Sequence, residues 1–452
     1  MPTILEFLYS QNPWWRNSSF ETPEYKRPLY HILMEGLRDK RDRRIITVTG
    51  PRRVGKTTLL RQLANELAEK DAKRVLYFSL DDPAWELMAK EGVFGDILDV
   101  YEKDIIGEDL QSISSPVYIF VDEIQYLQGF ERWLKRYYDL EYKIRFVVSG
   151  SSATSVIKGT QEFLVGRAKD YSLYPFSFRE FLDLKRLDIA AAVKDAENAE
   201  KMHKKLLPLK SKIVPLFNYY LLRGGYPEAV EMRDWQEYLI SGVVRKSIFR
   251  DISTLYGVRN PEYTERILAY IAFVTNKTMS ANSIASDLGI DKETVESHLR
   301  YLESSYLILH LRNYSGGVKM LKRNKKFYII DVGLRHAIVK EGEQQFAADH
   351  QKQSIAAENA IISDLFYRGK EMFFWRERHE IDVVIKNKAL VPIEIKYTND
   401  VKKAEIKGLI SFMESFGLSR GMVITKDVLR KEIVSGREIA FVPAWLFLLL
   451  DI

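Results

Sequence analysis

The chain has 452 residues, 46% hydrophobic and 29% charged, with no cysteine, seven histidines and a formal net charge of +6. The lack of cysteine excludes disulfides, thiolate metal sites and a cysteine nucleophile, and the few scattered histidines argue against a multi-histidine metal centre. The length asks for about two to four domains, and the mild positive charge permits nucleic-acid binding without demanding it.

The N-terminal MPTILEFLYSQNPWW has neither the basic start nor the long apolar run of a secretory signal. The late apolar run IAFVPAWLFLLL is too short to span a bilayer and contains Pro443. A cytoplasmic protein without membrane contact is expected.

Residues 44–50, RIITVTG, read as a buried strand ending in glycine, and residues 56–70 as a helix. Further strand runs follow at 74–80, 117–123 and 145–151, with helical patterns between them. That alternation implies a parallel sheet covered on both faces. At the first strand–helix junction, GPRRVGKTT matches the phosphate-loop pattern in full. Gly50 and Gly55 let the backbone N–H groups curl toward phosphates, and the helix N-terminus adds a favourable dipole. Lys56 is placed for the β- and γ-phosphates and Thr57 for Mg²⁺; Arg53 and Thr58 complete the nucleotide-binding stretch.

The run VYIFVDE sets Asp122 at the C-terminal tip of a buried strand, where ligands bind in such sheets. Asp122 is expected to hold Mg²⁺ through water, and Glu123 to orient or deprotonate the attacking water. Ser149 or Ser151, at the tip of FVVSGSS, is a candidate γ-phosphate sensor, with a plain turn as the alternative. Arg167 is a candidate cation for the transferring phosphate, in cis or from a neighbouring subunit of a homo-oligomer. A surface salt bridge is its alternative. The guanine-selecting Asn-Lys-x-Asp motif is missing, since NKTM at 276–279 lacks the Asp, so ATP is preferred over GTP.

Together TGPRRVGKTTLL, IFVDEIQ, SGSSA, VGRAKDYSLYPFSFREF and LLRGGYPEAV, with QNPWW near the start, resemble archaeal and bacterial P-loop ATPases of the AAA+-like and STAND groups. The resemblance implies an α/β protein with an ASCE-type parallel-sheet domain, a helical lid, a winged helix and often a nuclease-like domain. It also implies that a Gly-x-Pro element, here Gly225, Tyr226 and Pro227, packs near the adenine. A helix C-cap followed by a proline stop explains the same residues.

The Ala-, Lys- and Glu-rich stretch 186–212 opens a helical region running to about residue 255. Beyond it, Ser280 and Asp291 suit helix N-caps and Gly289 suits the turn between two short helices. Two strands then bracket a basic turn, which makes a helix-turn-helix with a β-wing. Lys319, Lys322, Arg323, Lys325 and Lys326 in the wing suit DNA phosphates. The second helix is less suited, because Glu293 and Glu296 would face the DNA backbone.

Near the end stands HEIDVVIKNKALVPIEIK. Strand alternation puts Glu380 and Asp382 on one face, and Glu394 and Lys396 share a face of the next strand. Asp382 and Glu394 could bind a second Mg²⁺ or Mn²⁺. Lys396 could steady a charged transition state, and Glu358 could complete the site from an upstream helix. The order of elements resembles the PD-(D/E)xK nuclease fold, a restriction-endonuclease-like α/β domain, although Ile381 stands where that motif has proline. Solvated salt-bridge pairs are the alternative. The expected domains are 1–185 (P-loop domain with an N-terminal arm), 186–257 (helical lid), 258–342 (winged helix) and 343–452 (nuclease-like). The expected function is a Mg-dependent ATPase that switches a nucleic-acid-binding module. The rivals are a metal-dependent DNA nuclease gated by ATP, and a non-cutting, nucleotide-switched DNA-binding or signalling protein.

Overall fold

The computed structural model describes residues 3–39, 41–88, 90, 92–151, 164–194, 198–315 and 324–451. The chain divides into two compact units, Met1–Leu173 and Tyr174–Ile452. No helix among the described residues is long and apolar enough to cross a membrane.

The first unit is built on a five-stranded parallel sheet of β1 (Ile45–Thr49), β2 (Val75–Ser79), β3 (Val117–Asp122), β4 (Ile144–Gly150) and β5 (Ala168–Ser172). The strand order is β2-β3-β4-β1-β5. All of β1 and β4 are buried, as near-continuous apolar strands covered on both faces must be. The order inserts β4 between the phosphate-loop strand β1 and the Asp122 strand β3. The tip of β4 therefore lies between the two halves of the site.

The edge strand β2 is covered by the N-terminal arm. Helix α1 (Ile4–Gln11) has a complete capping box between Thr3 and Glu6, and its last turn runs into QNPWW. Gln11 Oε1 accepts from Ser79 N at 2.8 Å, Asn12 bonds both the N–H (2.7 Å) and the carbonyl (2.8 Å) of Tyr77, and Trp14 Nε1 donates to Val75 O at 3.0 Å. Alternate residues of an edge strand leave their polar backbone groups unpaired. Here side chains of the arm satisfy them in sequence.

In the second unit, strands from the expected winged helix and C-terminal domain form one sheet of nine strands. They are β6 (Thr278–Met279), β7 (Ile308–Asn313), β8 (Lys325–Ile329), β9 (Met372–Arg376), β10 (Glu380–Lys386), β11 (Leu390–Ile395), β12 (Arg420–Thr425), β13 (Arg430–Val434) and β14 (Arg437–Pro443). The junction is a short parallel pairing of Arg312 with Phe373 and Asn313 with Phe374, linking β7 to β9. The boundary expected at 342/343 falls between strands of one sheet, and the two compact units meet in sequence at 173/174.

Ser280 and Asp291 do cap helices, α2 (Ala281–Leu288) and α3 (Lys292–Ser304), and Gly289 takes the left-handed conformation between them. One face of the C-terminal part of the sheet packs Phe373, Trp375, Ile381 and Val384 against Leu409, Phe412 and Met413 of α5 (Lys407–Ser415). Helix α4 (His350–Tyr367) carries Glu358.

Candidate functional site

In the first unit the phosphate loop joins β1 to the helix Lys56–Ala68. Gly50 has φ of 152°, and a Cβ there would lie 2.0 Å from the carbonyl oxygen of Leu173, so only glycine lets the loop turn against the end of β5. Gly55, with φ of 96°, starts the helix. Lys56 is buried and donates to Gly50 O and Pro51 O, both at 2.9 Å, which holds its ammonium across the loop. Thr58 is half-buried in the helix's first turn, and Arg53 is exposed with φ of 64°.

Thr57 Oγ1 donates to Asp122 Oδ2 at 2.6 Å. Tyr77 reaches the same oxygen at 3.2 Å, and the Ser149 hydroxyl donates to Asp122 Oδ1. Ser149 also accepts from the backbone N–H of Glu123 at 3.3 Å. Fully buried, Ser149 ties Asp122 to Glu123. Ser151 accepts from Gln125 Nε2 at 3.2 Å, and Gln125 also donates to the Glu123 carboxylate.

Glu123 takes φ of 56°. The left-handed conformation costs an L-residue about 1–2 kcal/mol, and such strain clusters where side-chain aim matters. The two adjacent carboxylates are driven apart. Burial, then the charge of Glu123, pushes Asp122 up, while hydrogen bonds from Ser149 and Thr57 hold it back. Burial also pushes Glu123 up, but the cations of Lys56 and Arg52 outweigh it and bring Glu123 below the ordinary carboxylate value.

The hard oxygens of Thr57 and Asp122 fit Mg²⁺, which uses one or two protein ligands and takes the rest from substrate phosphates and water. Arg27 escapes sequence reading: its guanidinium is buried and donates to Val54 O in the loop at 3.2 Å. It lies far from the motif in sequence, and no local pattern marks it.

Arg167 is a correction. Its carbonyl accepts from Ile45 N at 2.8 Å, at the start of β1, whereas the phosphate loop follows the other end. The five residues of β1 separate them by about 16 Å. The guanidinium is instead held by Asp139, at 2.6 and 3.2 Å. A role for Arg167 at its own chain's phosphates is excluded by that placement.

Residues 42–182 match the family model of an AAA domain. The parallel five-stranded α/β unit matches a P-loop ATPase domain in fold. Residues 214–345 and 354–447 match two models, each described as a domain of unknown function (DUF8612 and DUF4143). An uncharacterized protein of Haemophilus influenzae is 23% identical over 414 residues, covering 89% of this chain and 94% of the relative. An uncharacterized protein of Methanocaldococcus jannaschii is 24% identical over 379 residues, covering 80% and 77%. Among solved structures, the ORC2 protein of Aeropyrum pernix in ADPNP-ADP complexes aligns with a TM-score of 0.37 at 13% identity, over 73% of this chain and 97% of that one. AMPPCP-bound DnaA from Aquifex aeolicus aligns with a TM-score of 0.27 at 21% identity, over 63% and 89%.

In the second unit, Gly225 N donates to Asp331 Oδ2 at 2.8 Å, and a Cβ on Gly225 would lie 2.1 Å from Phe176 O. The Gly225–Pro227 turn therefore has a packing role of its own. Contact of Pro227 with adenine rests on the family resemblance.

The C-terminal residues converge. Lys396 Nζ lies 2.5 Å from Glu394 Oε1 and 3.8 Å from Asp382 Oδ2. Asp382 Oδ2 also accepts from Ile395 N at 2.9 Å. Glu358 is buried beside them, accepting from Tyr328 OH and from Asn276 Nδ2, each at 2.8 Å. The structure adds Lys326 to this cluster. Expected as a DNA-facing wing cation, it is only 1% exposed, with Nζ 2.6 Å from Glu380 Oε1 and 3.5 Å from Asp382 Oδ1. Lys325 is half-buried; Lys319, Lys322 and Arg323 lie outside the described residues.

Burial, with Asp382's charge added, pushes Glu394 up to about 8 and Glu358 up to about 7. Burial pulls the Lys326 ammonium down, but Asp382, Glu358 and Glu380 outweigh it and hold it above the ordinary lysine value. Among the described residues, Glu358, Asp382 and Glu394 are not arranged as a three-ligand site for a second Mg²⁺ or Mn²⁺. Both oxygens of Glu358 and of Asp382 and one of Glu394 are engaged by the protein, and only Glu394 Oε2 accepts no hydrogen bond. Among the described residues, no three acidic or histidine side chains are arranged to hold a metal ion.

Proposed function

We propose that the first unit hydrolyses ATP with Mg²⁺, and that its nucleotide state governs nucleic-acid binding by the second unit. The observation that carries the first half is the 2.6 Å contact of Thr57 with Asp122, beside a Glu123 fixed in a strained conformation. The loop N–H groups and Lys56 bind the phosphates. Mg²⁺, when bound, neutralises phosphate charge; Thr57 would hold it directly and Asp122 through water. Glu123 accepts a proton from water as the water oxygen bonds to the γ-phosphorus. The bond from that phosphorus to the β–γ bridging oxygen breaks, and its electron pair leaves on ADP. Ser149 keeps Asp122 and Glu123 in register.

Lys56→Ala is expected to lower Mg-dependent ATP turnover by at least about 100-fold, as loss of a charged donor to the transferring group should. Turnover equal to that of the unaltered chain would refute the assignment.

For the second unit, the non-cutting reading is favoured over the ATP-gated nuclease because no three acidic or histidine side chains among the described residues are arranged to hold a metal ion. Branched, single-stranded and duplex DNA should all survive incubation with Mg²⁺ or Mn²⁺, with or without ATP. Cleavage that disappears in Asp382→Ala would reverse that choice.

A further inference from the structure

A cleft of about 650 Å³ opens between the turn that precedes β6 and the β9–β10 hairpin. Asn276, Lys277 and Thr278 form one wall, and Arg376, Arg378 and His379 the other. Lys277, Arg376, Arg378 and His379 are all exposed. The walls are tied together, because Arg376 Nη1 donates to Thr278 Oγ1 at 2.8 Å. Asn276 is held with φ of 76° while its amide reaches Glu358.

We infer that this cleft binds the sugar–phosphate backbone of a nucleic-acid strand, a reading that rests on the second unit being the nucleic-acid-binding one. Three cationic side chains are gathered there from two separate segments. Like charges brought together repel unless an anion joins them. The acidic member of the lining, Glu380, is shared between Lys326, at 2.6 Å, and Arg376, at 3.7 Å, so it offsets at most one of the three cations and leaves Lys277 and Arg378 without it. Lys326 therefore has a second consequence. By neutralising the floor from beneath, it leaves the cleft positive.

The size lies within the range of ligand sites, and cations on opposite walls suit successive phosphates of a chain better than one small anion. The helix-turn-helix offers less. Lys292 on α3 lies 3.6 Å from Glu296, one turn away, and so is already paired.

The test uses the full chain and a fluorescently labelled strand of about 16 nucleotides, as DNA, as RNA and as duplex DNA. Anisotropy is followed across a salt series. The double reversal Lys277→Glu with Arg378→Glu should weaken binding at least tenfold and flatten the log K against log[salt] slope by about two, one for each phosphate no longer neutralised. Lys292→Glu with Lys388→Glu, a matched change of charge at exposed sites elsewhere in the unit, should stay within about threefold, as a screened distant charge should. Both variants carry surface changes, and matching melting curves check that they fold. The DNA and RNA arms show which backbone is preferred. Equal affinity of the cleft variant and the unaltered chain overturns the cleft alone, as does equal weakening in the control. Failure of the unaltered chain to bind any strand overturns the reading of the second unit as well.

Discussion

Glu123→Gln is expected to retain nucleotide binding and to lose ATP turnover by about 10²–10⁴-fold, the usual contribution of a positioned general base. Glutamine keeps the size of the side chain and can still meet Gln125, but it cannot take a proton from water. The case for Glu123 over Asp122 as the base comes from their surroundings. Two neighbouring carboxylates whose environments separate their proton affinities are suited to different tasks. Lys56 and Arg52 keep Glu123 ionised, while Asp122 is buried beneath hydroxyls of Thr57, Tyr77 and Ser149 that fix its position. Single-turnover hydrolysis and titration with a fluorescent ATP analogue separate the two effects. If Glu123→Gln loses nucleotide affinity in proportion to its rate, the side chain shapes the site and is not the base.

The phosphate site is legible in the sequence because its parts are local. Gly50, Gly55, Lys56 and Thr57 lie within one loop, and Asp122 and Glu123 end one apolar strand. Their meeting follows from sheet geometry once both strands are recognised. Other features depend on partners distant in sequence. The strand Ala168–Ser172 reads as AKDYS with a half-exposed pattern, so it lacks the apolar run that marks the other four strands. Arg167 immediately precedes it and so sits at the wrong end of the sheet, a fact hidden until that strand is placed. The QNPWW segment is visible as a marker of resemblance. Its physical task, pairing with alternate residues of β2, requires knowing that β2 is an edge.

The C-terminal residues Glu358, Asp382, Glu394 and Lys396 do converge as their spacing suggests, but their charge balance needs a fifth member. A signal for Lys326 does exist. In KKFYI, period-two alternation puts Lys326 on the same face as Tyr328, and Tyr328 is the residue that meets Glu358. Treating the five wing cations as one solvated patch conceals that alternation. It also conceals the continuity between the wing strands and the C-terminal sheet.

Lys326→Met is expected to destabilise the second unit by about 3 kcal/mol, the low end for removing one partner from a buried ion pair. The low end applies because Glu380 is partly in water, with 31% of its side chain exposed. Methionine fills much of the lysine volume, so a cavity contributes little, and the loss reports chiefly the uncompensated charge of Asp382 and Glu380. Urea unfolding should show a lower midpoint at an unchanged slope. The decisive measurement is the double variant. Adding Asp382→Asn removes the charge that Lys326 offsets, so the pair should be more stable than the sum of the two single losses predicts, by about 1–3 kcal/mol. Strict additivity would mean that Lys326 acts through packing rather than as a counter-ion. The cleft above it would then lose the neutral floor on which its affinity for phosphate depends.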